Sequence, residues 1–338
     1  MDRMAKFGND LYTGARSYNF VGRRKIWYII AAVMLLASVL LPIARGGFVF
    51  GIEFRGGSEF QVGSVENFDG DSIERQDLAT ETVNDTVPDL SPHVTTIGDS
   101  AVRVQTDQLT SDQSDEVRDA LAEAFSVDRS EVTASFIGPS WGADITSAAV
   151  RALVIFVILA GIVMALYFRT WKMSVAAIIS LVHDIIITAC VYGILGFEIT
   201  PSAVIGFLTI LGYSLYDTVV VFDKIRENTS EDGSESSRTF PESVNLAVNQ
   251  TLVRSINTGV VAALPVAAIL FIGAVVLGAG TLRDIALSLL VGILIGTYST
   301  IFIGAPVYAQ LRENEPALQK RATKVSTARS ATTTGAVR

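Results

Sequence analysis

The chain has 338 residues, 50% of them hydrophobic and 18% charged, and a formal net charge of −8 at pH 7. Its mean hydropathy of +0.44 is too high for an ordinary soluble protein. The acidic balance argues against nucleic acid as a partner, and the single cysteine, Cys190, excludes an internal disulfide. We therefore expect a membrane protein with long polar segments.

Six apolar runs predict transmembrane helices, because a bilayer core of about 30 Å needs about 20 helical residues. The runs fall near residues 26–43, 152–168, 173–197, 200–222, 258–279 and 285–308. The first run is not expected to be a cleaved signal peptide, since roughly 25 polar residues precede it. The predicted division is an N-terminal segment (1–25), helix one (26–43), an inserted domain (44–146), the remaining bundle (147–310) with a loop at 226–254, and a disordered tail (311–338).

Basic residues predict the orientation in the membrane. Short segments with lysine or arginine all lie on one side of a six-span arrangement, and that side is expected to be cytoplasmic. These residues are Arg23, Arg24, Lys25, Arg169, Lys172, Lys224, Arg226, Arg254, Arg312, Lys320 and Arg321. Both termini are thus predicted in the cytoplasm of a multi-pass protein of the cell membrane.

The region between the first two spans is predicted to lie outside the cytoplasm. Residues 44–151 contain 20 acidic residues, seven arginines and no lysine. A strand is expected at 53–65, a helix at 72–87, a hairpin of strands at 93–97 and 101–105, a helix at 111–125 and a strand at 131–137. This β-α-β-β-α-β order is that of a ferredoxin-like α+β fold.

Asp217 is the most informative residue, because it lies within the otherwise apolar fourth span. An ionisable side chain at this depth costs about 2.5–3.5 kcal/mol on insertion scales, so it predicts ion coupling or a buried charge partner. Tyr213 and Ser214 precede it by four and three residues and share its helix face. Asp184, next to His183, lies about 11 residues into the third span, and helices three and four are expected to be antiparallel neighbours.

Arg254 is predicted to enter the membrane at the turn into the fifth span, followed by Asn257 and Thr258. Arg254 enters from the cytoplasmic side, and Asp217 lies nearer the cytoplasmic end of its helix than the middle. We therefore expect an ion pair between the two residues. A paired carboxylate stays ionised, whereas one without a partner in an apolar bundle tends to take up a proton. Alternation between these arrangements would be a proton switch. Buried ion pairing that only specifies helix packing is the structural alternative.

Three stretches carry a resemblance to the SecD/SecF family of export proteins, within the resistance-nodulation-division superfamily, and to its smaller subunit in particular. The stretches are Gly51-Ile52-Glu53-Phe54-Arg55-Gly56-Gly57, residues 212–228 and Ser255-Ile256-Asn257-Thr258. The resemblance implies six transmembrane helices, a ferredoxin-like extracytoplasmic domain and an obligate SecD-like partner. It also implies that Asp217 and Arg254 match the positions implicated in ion coupling. Tyr216 differs, since asparagine is frequent in the family at this position.

The resemblance further implies an auxiliary function in the Sec translocase, in which the ion gradient, of protons or sodium, promotes protein export. The expected partners are a SecD-like subunit, the Sec channel, an unfolded or emerging polypeptide and the lipid bilayer. Half of a small-molecule or lipid exporter is the alternative, although one modest outer domain leaves little room for a substrate vestibule. No enzyme motif occurs, and no cofactor or metal site is predicted.

Overall fold

The computed structural model describes residues 3–44, 47–65, 70–88, 90–97, 101–231, 238–273 and 280–333. Within these residues, six helices are long and apolar enough to cross a membrane. Their number agrees with the six apolar runs of the sequence. The polypeptide between the first and second of these helices forms a separate domain with one β-sheet, which we call the inserted domain.

The N-terminal segment contains a helix that the sequence did not predict. Helix α1 (Arg3–Tyr12) lies against the bundle, with Leu11 fully buried, and the chain then buries Phe20 and Val21 before α2 (Arg24–Ala44) begins. The Trp27 indole N–H donates to the Phe20 carbonyl at 3.1 Å. Burial of these apolar side chains fixes the segment to the bundle.

The inserted domain has the element order β-α-β-β-α-β after one short helix. Its sheet order is β2-β3-β1-β4, and all three neighbouring strand pairs are antiparallel. The elements are α3 (Ile52–Arg55), β1 (Gly57–Val62), α4 (Ser72–Thr86), β2 (His93–Ile97), β3 (Ala101–Thr106), α5 (Ser111–Ala124) and β4 (Val132–Ile137). The predicted turn at residues 98–100 lies outside the described residues.

Capping boxes start both longer helices of this domain. Asp71 and Glu74 cap α4 reciprocally, and Thr110 and Gln113 do the same for α5. Apolar side chains of the two helices cover one sheet face. That core includes Phe60, Val62, Val83, Val102, Val104, Val117 and Leu121.

The first strand is shorter than expected. Glu53 and Phe54 lie in α3 instead of in a strand, and the chain enters β1 through Gly56 and Gly57, whose φ angles are 78° and 147°. Such positive φ values favour glycine. A Cβ at Gly57 would also collide with the Thr106 carbonyl oxygen of β3. The glycine pair thus makes a tight turn that places β1 directly against β3.

The remaining bundle consists of α6 (Pro139–Phe168), α7 (Trp171–Leu195), α8 (Pro201–Glu231), α9 (Phe240–Phe271) and α10 (Gly280–Ser299). A π-helical turn (Thr300–Gly304) joins α10 to α11 (Ala305–Glu313), and together these form the sixth membrane helix. Helix α7 is the most buried of the six, whereas α6 exposes most of its surface. The bundle is thus built around α7, α8 and α10.

The predicted division differs from the structure between the fourth and fifth membrane helices. The predicted loop at 226–254 is mostly helical, because α8 continues to Glu231 and a Thr239–Glu242 capping box starts α9 at Phe240. Arg254 therefore lies inside a continuous helix and not at a turn. Residues 232–237 of that loop and residues 274–279 of the predicted fifth span lie outside the described residues.

The C-terminal tail was expected to be disordered, but it forms helix α12 (Pro316–Thr333). Arg329 pairs with Glu242 at 2.8 Å, and Arg321 donates to the Arg238 carbonyl at 2.9 Å. These contacts dock α12 beside the start of α9. Residues 334–338 lie outside the described residues.

Candidate functional site

Asp217 lies in the middle of α8 and is 3% exposed. The Ser255 hydroxyl on α9 donates to its Oδ1 atom at 2.8 Å. Its other oxygen, Oδ2, is buried without a hydrogen-bond partner among the described residues. A half-satisfied carboxylate in an apolar bundle is costly, which makes Asp217 a candidate functional residue.

The structure does not bring Arg254 into contact with Asp217, contrary to the expected ion pair. The charge of Arg254 is near enough to act on the carboxylate, yet its side chain is exposed and makes no ion pair with a described residue. Consecutive helical residues point about 100° apart, so Ser255 faces α8 while Arg254 turns away. Asn257 is also exposed, and Thr258 is half-buried.

A second buried carboxylate lies on the neighbouring helix α7. Asp184 is 2% exposed, and the Ser214 hydroxyl of α8 donates to its Oδ2 atom at 2.6 Å. His183 Nδ1 lies 3.4 Å from Asp184 Oδ1, and His183 Nε2 is buried without a partner among the described residues. The structure thus brings His183, Asp184 and Ser214 together. Ser214 donates to Asp184 of α7 and not to Asp217, although Ser214 and Asp217 lie on the same helix, α8.

Hydroxyl pairs continue the polar region across α7, α8 and the sixth span. Ser180 Oγ donates to Ser299 Oγ at 2.9 Å, and the Oγ1 atoms of Thr218 and Thr300 are 3.0 Å apart. All four residues are buried. Ser180 and Thr218 were not among the predicted site residues, although Ser214 and Thr218 show the spacing of four that indicates a shared helix face.

Close approach of α8 and α10 makes these contacts possible. A Cβ at Gly292 would collide with Ile210, and one at Gly296 would lie 3.1 Å from Ser214 Cβ. Small residues four apart commonly let two membrane helices pack closely. Tyr213 is half-buried near Thr297 of α10. The π-helical turn begins at Thr300. Such irregularities within an α-helix are frequent at functional sites.

The predicted motif of the inserted domain lies where this domain meets the bundle. Glu198, in the loop between α7 and α8, accepts a hydrogen bond from Gln105 Nε2 at 3.1 Å, and the same Nε2 donates to Glu59 at 2.9 Å. His93 Nε2 lies 3.4 Å from Glu198 Oε1. The Phe54 carbonyl packs directly on Gly142 of α6. We call the group Glu53, Glu59, His93, Arg103, Gln105 and Glu198 the junction cluster.

Burial raises the pKa of Glu198 and of Glu53, although Arg103 opposes the shift at both carboxyl groups. The start of the sixth membrane helix adds Asp284, which the sequence analysis missed; Thr200 Oγ1 donates to it at 3.0 Å. In the described part of the chain, no group of three or more His, Cys, Asp and Glu side chains is arranged to hold a metal ion.

These features define a polytopic helical membrane protein with buried carboxylates on two adjacent helices and a small α+β domain after its first span. A family model described as "Protein export membrane protein SecD/SecF, C-terminal" matches residues 116–314. The chain belongs to the SecD/SecF family.

Named relatives agree over nearly the whole chain. Protein translocase subunit SecF of Streptomyces coelicolor is 43% identical over 95% of this chain and 84% of its own length. The same subunit of Mycobacterium tuberculosis (strain H37Rv) is 39% identical over 94% of this chain and 72% of its own length. The crystal structure of SecDF from Thermus thermophilus, a translocon-associated membrane protein, superimposes with a TM-score of 0.74 at 27% identity. That match covers 88% of this chain and 39% of the longer SecDF chain.

Proposed function

We propose that this chain is an auxiliary subunit of the Sec protein translocase, which works with a SecD-like partner in the cytoplasmic membrane. It uses a proton or sodium gradient to promote protein export, and no covalent chemistry is involved. The names of the relatives support the translocase assignment. The observation that carries the coupling is the environment of Asp217: its Oδ2 atom is buried without a hydrogen-bond partner among the described residues, and the nearby Arg254 forms no ion pair with any of them.

An incomplete site of this kind is expected where a partner supplies the missing groups. Exposed residues of α8 recur every three or four positions and form a stripe beside Asp217; they are Ile205, Thr209, Gly212 and Tyr216. A Cβ at Gly212 would meet nothing within 4 Å. Such a position lets a second helix approach closely. We propose that a helix of the SecD-like subunit packs on this stripe.

The SecDF chain of Thermus thermophilus supports that pairing, because this chain aligns with only 39% of it. In the proposed arrangement both termini are cytoplasmic, as the lysine and arginine distribution favours. The inserted domain is then extracytoplasmic, and its strand order β2-β3-β1-β4 supports a ferredoxin-like fold. It would contact the Sec channel or an emerging unfolded polypeptide.

Ion entry at Asp217 would change the interactions of this carboxylate with Arg254 and with the partner, and the bundle would shift in response. Moving one charge through 100 mV supplies about 2.3 kcal/mol, enough to bias a conformational equilibrium. Because Ser255 joins Asp217 to α9, a change at the carboxylate acts directly on the packing of α8 against α9.

The coupling is tested by export into vesicles that contain the complex, with and without an ion gradient. In Asp217→Asn, we expect export with a gradient to fall to the level measured without one. Asp223→Asn is the matched control, since Asp223 is an exposed aspartate of the same helix, and it should retain the stimulation. Full gradient stimulation in Asp217→Asn would overturn the coupling.

The partner face is tested by co-purification of the SecD-like subunit in mild detergent. Gly212→Leu places a bulky side chain in the proposed contact and should abolish recovery of the partner. Ala32→Leu makes the same kind of change on the exposed surface of α2 and should not. Equal recovery of the partner with both variants would contradict the proposed interface.

A further inference from the structure

A cavity of about 650 Å³ opens between α2, α9 and the sixth membrane helix. It lies at the end of the bundle that carries α1. Its walls are mostly apolar and aromatic, and they include Phe20, Trp27, Ile256, Val260, Leu294 and Phe302. Among the described residues that line it, none is acidic.

One end of the cavity is polar, with Arg23 and Asn19 in its lining. Arg23 is exposed and has no ion-pair partner among the described residues. Its neighbour Arg24 differs, because it forms a two-pronged pair with Glu313 at 2.6 and 2.8 Å. Lys172 is likewise paired with Glu315 at 2.9 Å. Arg23 and Lys25 thus lack the counter-charge that Arg24 and Lys172 receive from the described residues, and of these two only Arg23 lines the cavity.

Position and composition favour a lipid as the occupant. Arg23 precedes the first membrane helix directly, and Trp27 follows one turn later, which is the depth of phospholipid headgroups for such residues. Basic pockets between membrane helices on the cytoplasmic side bind anionic headgroups. The apolar wall beyond Trp27 suits an acyl chain.

The length of the cavity suits an acyl chain. The cavity follows α9 from Leu252 to Val260, a rise of about 12 Å at 1.5 Å per residue. That length is close to the roughly 15 Å of one leaflet of the hydrocarbon core, which an acyl chain spans. Such a chain can enter from the bilayer.

We propose that this cavity binds one anionic phospholipid of the cytoplasmic leaflet, with its phosphate at Arg23 and an acyl chain along Ile256, Val260 and Leu294. The lipid site is distinct from the Asp217 site, but α9 contributes to both. Ser255 of α9 donates to Asp217, and the next residue, Ile256, lines the cavity. A bound lipid would thus brace the helix that holds the Asp217 hydrogen bond.

The test is native mass spectrometry of the purified full chain, loaded with phosphatidylglycerol or with phosphatidylcholine of the same acyl chains. We expect one phosphatidylglycerol to be retained after the remaining lipid is stripped, at least fivefold more than phosphatidylcholine. Arg23→Gln should remove this preference. Lys25→Gln removes the same charge two residues away, outside the lining, and should leave the preference unchanged.

A second pair of variants tests the acyl-chain part. Val260→Trp fills the cavity and should lower retention of phosphatidylglycerol, whereas Val261→Trp, on the adjacent exposed position outside the lining, should not. Equal retention of both lipids, or equal effects of Arg23→Gln and Lys25→Gln, would show annular lipid only and overturn the proposal. Should Val260→Trp fail to fold, the exposed Arg23 and Lys25 variants still decide the question.

Discussion

Asp184 of α7 and Asp217 of α8 are each held by one hydroxyl from the next helix along the chain. Ser214 of α8 donates to Asp184 of α7, and Ser255 of α9 donates to Asp217 of α8. Ser214 and Asp217 are three residues apart on α8, so the two pairs connect α7, α8 and α9 in one continuous path. A change in the charge of either carboxylate would be felt by all three helices.

The carboxylates were predictable from the sequence, whereas their partners were not. An aspartate in an apolar run is conspicuous because its insertion is costly. A serine fits any face of a membrane helix, so sequence spacing gave no reason to choose Ser255 over Arg254. That choice depends on the rotation of α9, which begins at Phe240, well before the predicted fifth span.

Ser255→Ala should destabilise the protein by about 1–2 kcal/mol, since the variant loses a hydrogen bond to a buried carboxylate. Reversible unfolding in mixed micelles would measure the change. Thr251→Ala is the control, because the buried Thr251 hydroxyl donates only to backbone carbonyls of its own helix. If the two variants are equally stable, the Ser255 bond contributes nothing specific.

Gly57→Ala should destabilise the inserted domain by about 1–3 kcal/mol, because the φ angle of 147° is strained for alanine and its Cβ meets the Thr106 carbonyl. Thermal unfolding, monitored by hydrogen exchange of the backbone amides in β1 and β3, would measure the loss of stability. Gly63→Ala, at a position without positive φ, should change little, and a similar effect at both glycines would contradict the proposed turn.

At the scale of elements, the contacts of the loop between α7 and α8 join the inserted domain to the bundle. The Ile199 amide donates to the Val49 carbonyl at 2.8 Å, and the Gly51 amide donates to the Ile199 carbonyl at 3.0 Å. Glu198 adds its hydrogen bond from Gln105 of β3. Because these few contacts include the buried carboxyl group of Glu198, the stability of the junction should depend on the pH on the side of the membrane where the inserted domain lies.

Burial raises the pKa of Glu198 above its ordinary value of 4.5, so the folded protein binds this proton more tightly than the unfolded chain. The contribution of Glu198 to stability is therefore fully present below pH 4.5 and is lost as pH rises through the raised pKa. Burial and the nearby Arg55 lower the pKa of His93 below 6.5, which acts in the opposite direction. The contribution of His93 is present above pH 6.5 and is lost as pH falls through the lowered pKa.

We expect the thermal stability of His93→Gln protein to fall as pH rises above 4.5, and the added Glu198→Gln change to reduce this slope. Comparing the single and double variants from pH 4 to pH 8 isolates Glu198, because the other charged groups facing it remain in both. Those groups are Glu53, Glu59, Arg103 and Asp284. Identical slopes would show that Glu198 does not titrate at the junction.

At the scale of the whole molecule, the sequence predicted the number of membrane helices and the element order of the inserted domain. Length and hydrophobicity determine the spans, and residue periodicity determines the elements. The docking of α1 and α12 was not predictable, since it depends on distant pairs such as Arg329 with Glu242 and on the burial of Leu11. Composition alone predicted a disordered tail at the C-terminal end and only a polar segment at the N-terminal end.

Above all, we propose that Asp217 binds and releases its ion within the assembled complex. Difference infrared spectroscopy of the carboxyl band, recorded as protons or sodium are added to the complex in lipid, tests this most directly. The account predicts a band that responds to one of these ions, is absent in Asp217→Asn and persists in Asp223→Asn. A spectrum that both variants share with the unaltered complex would contradict the account.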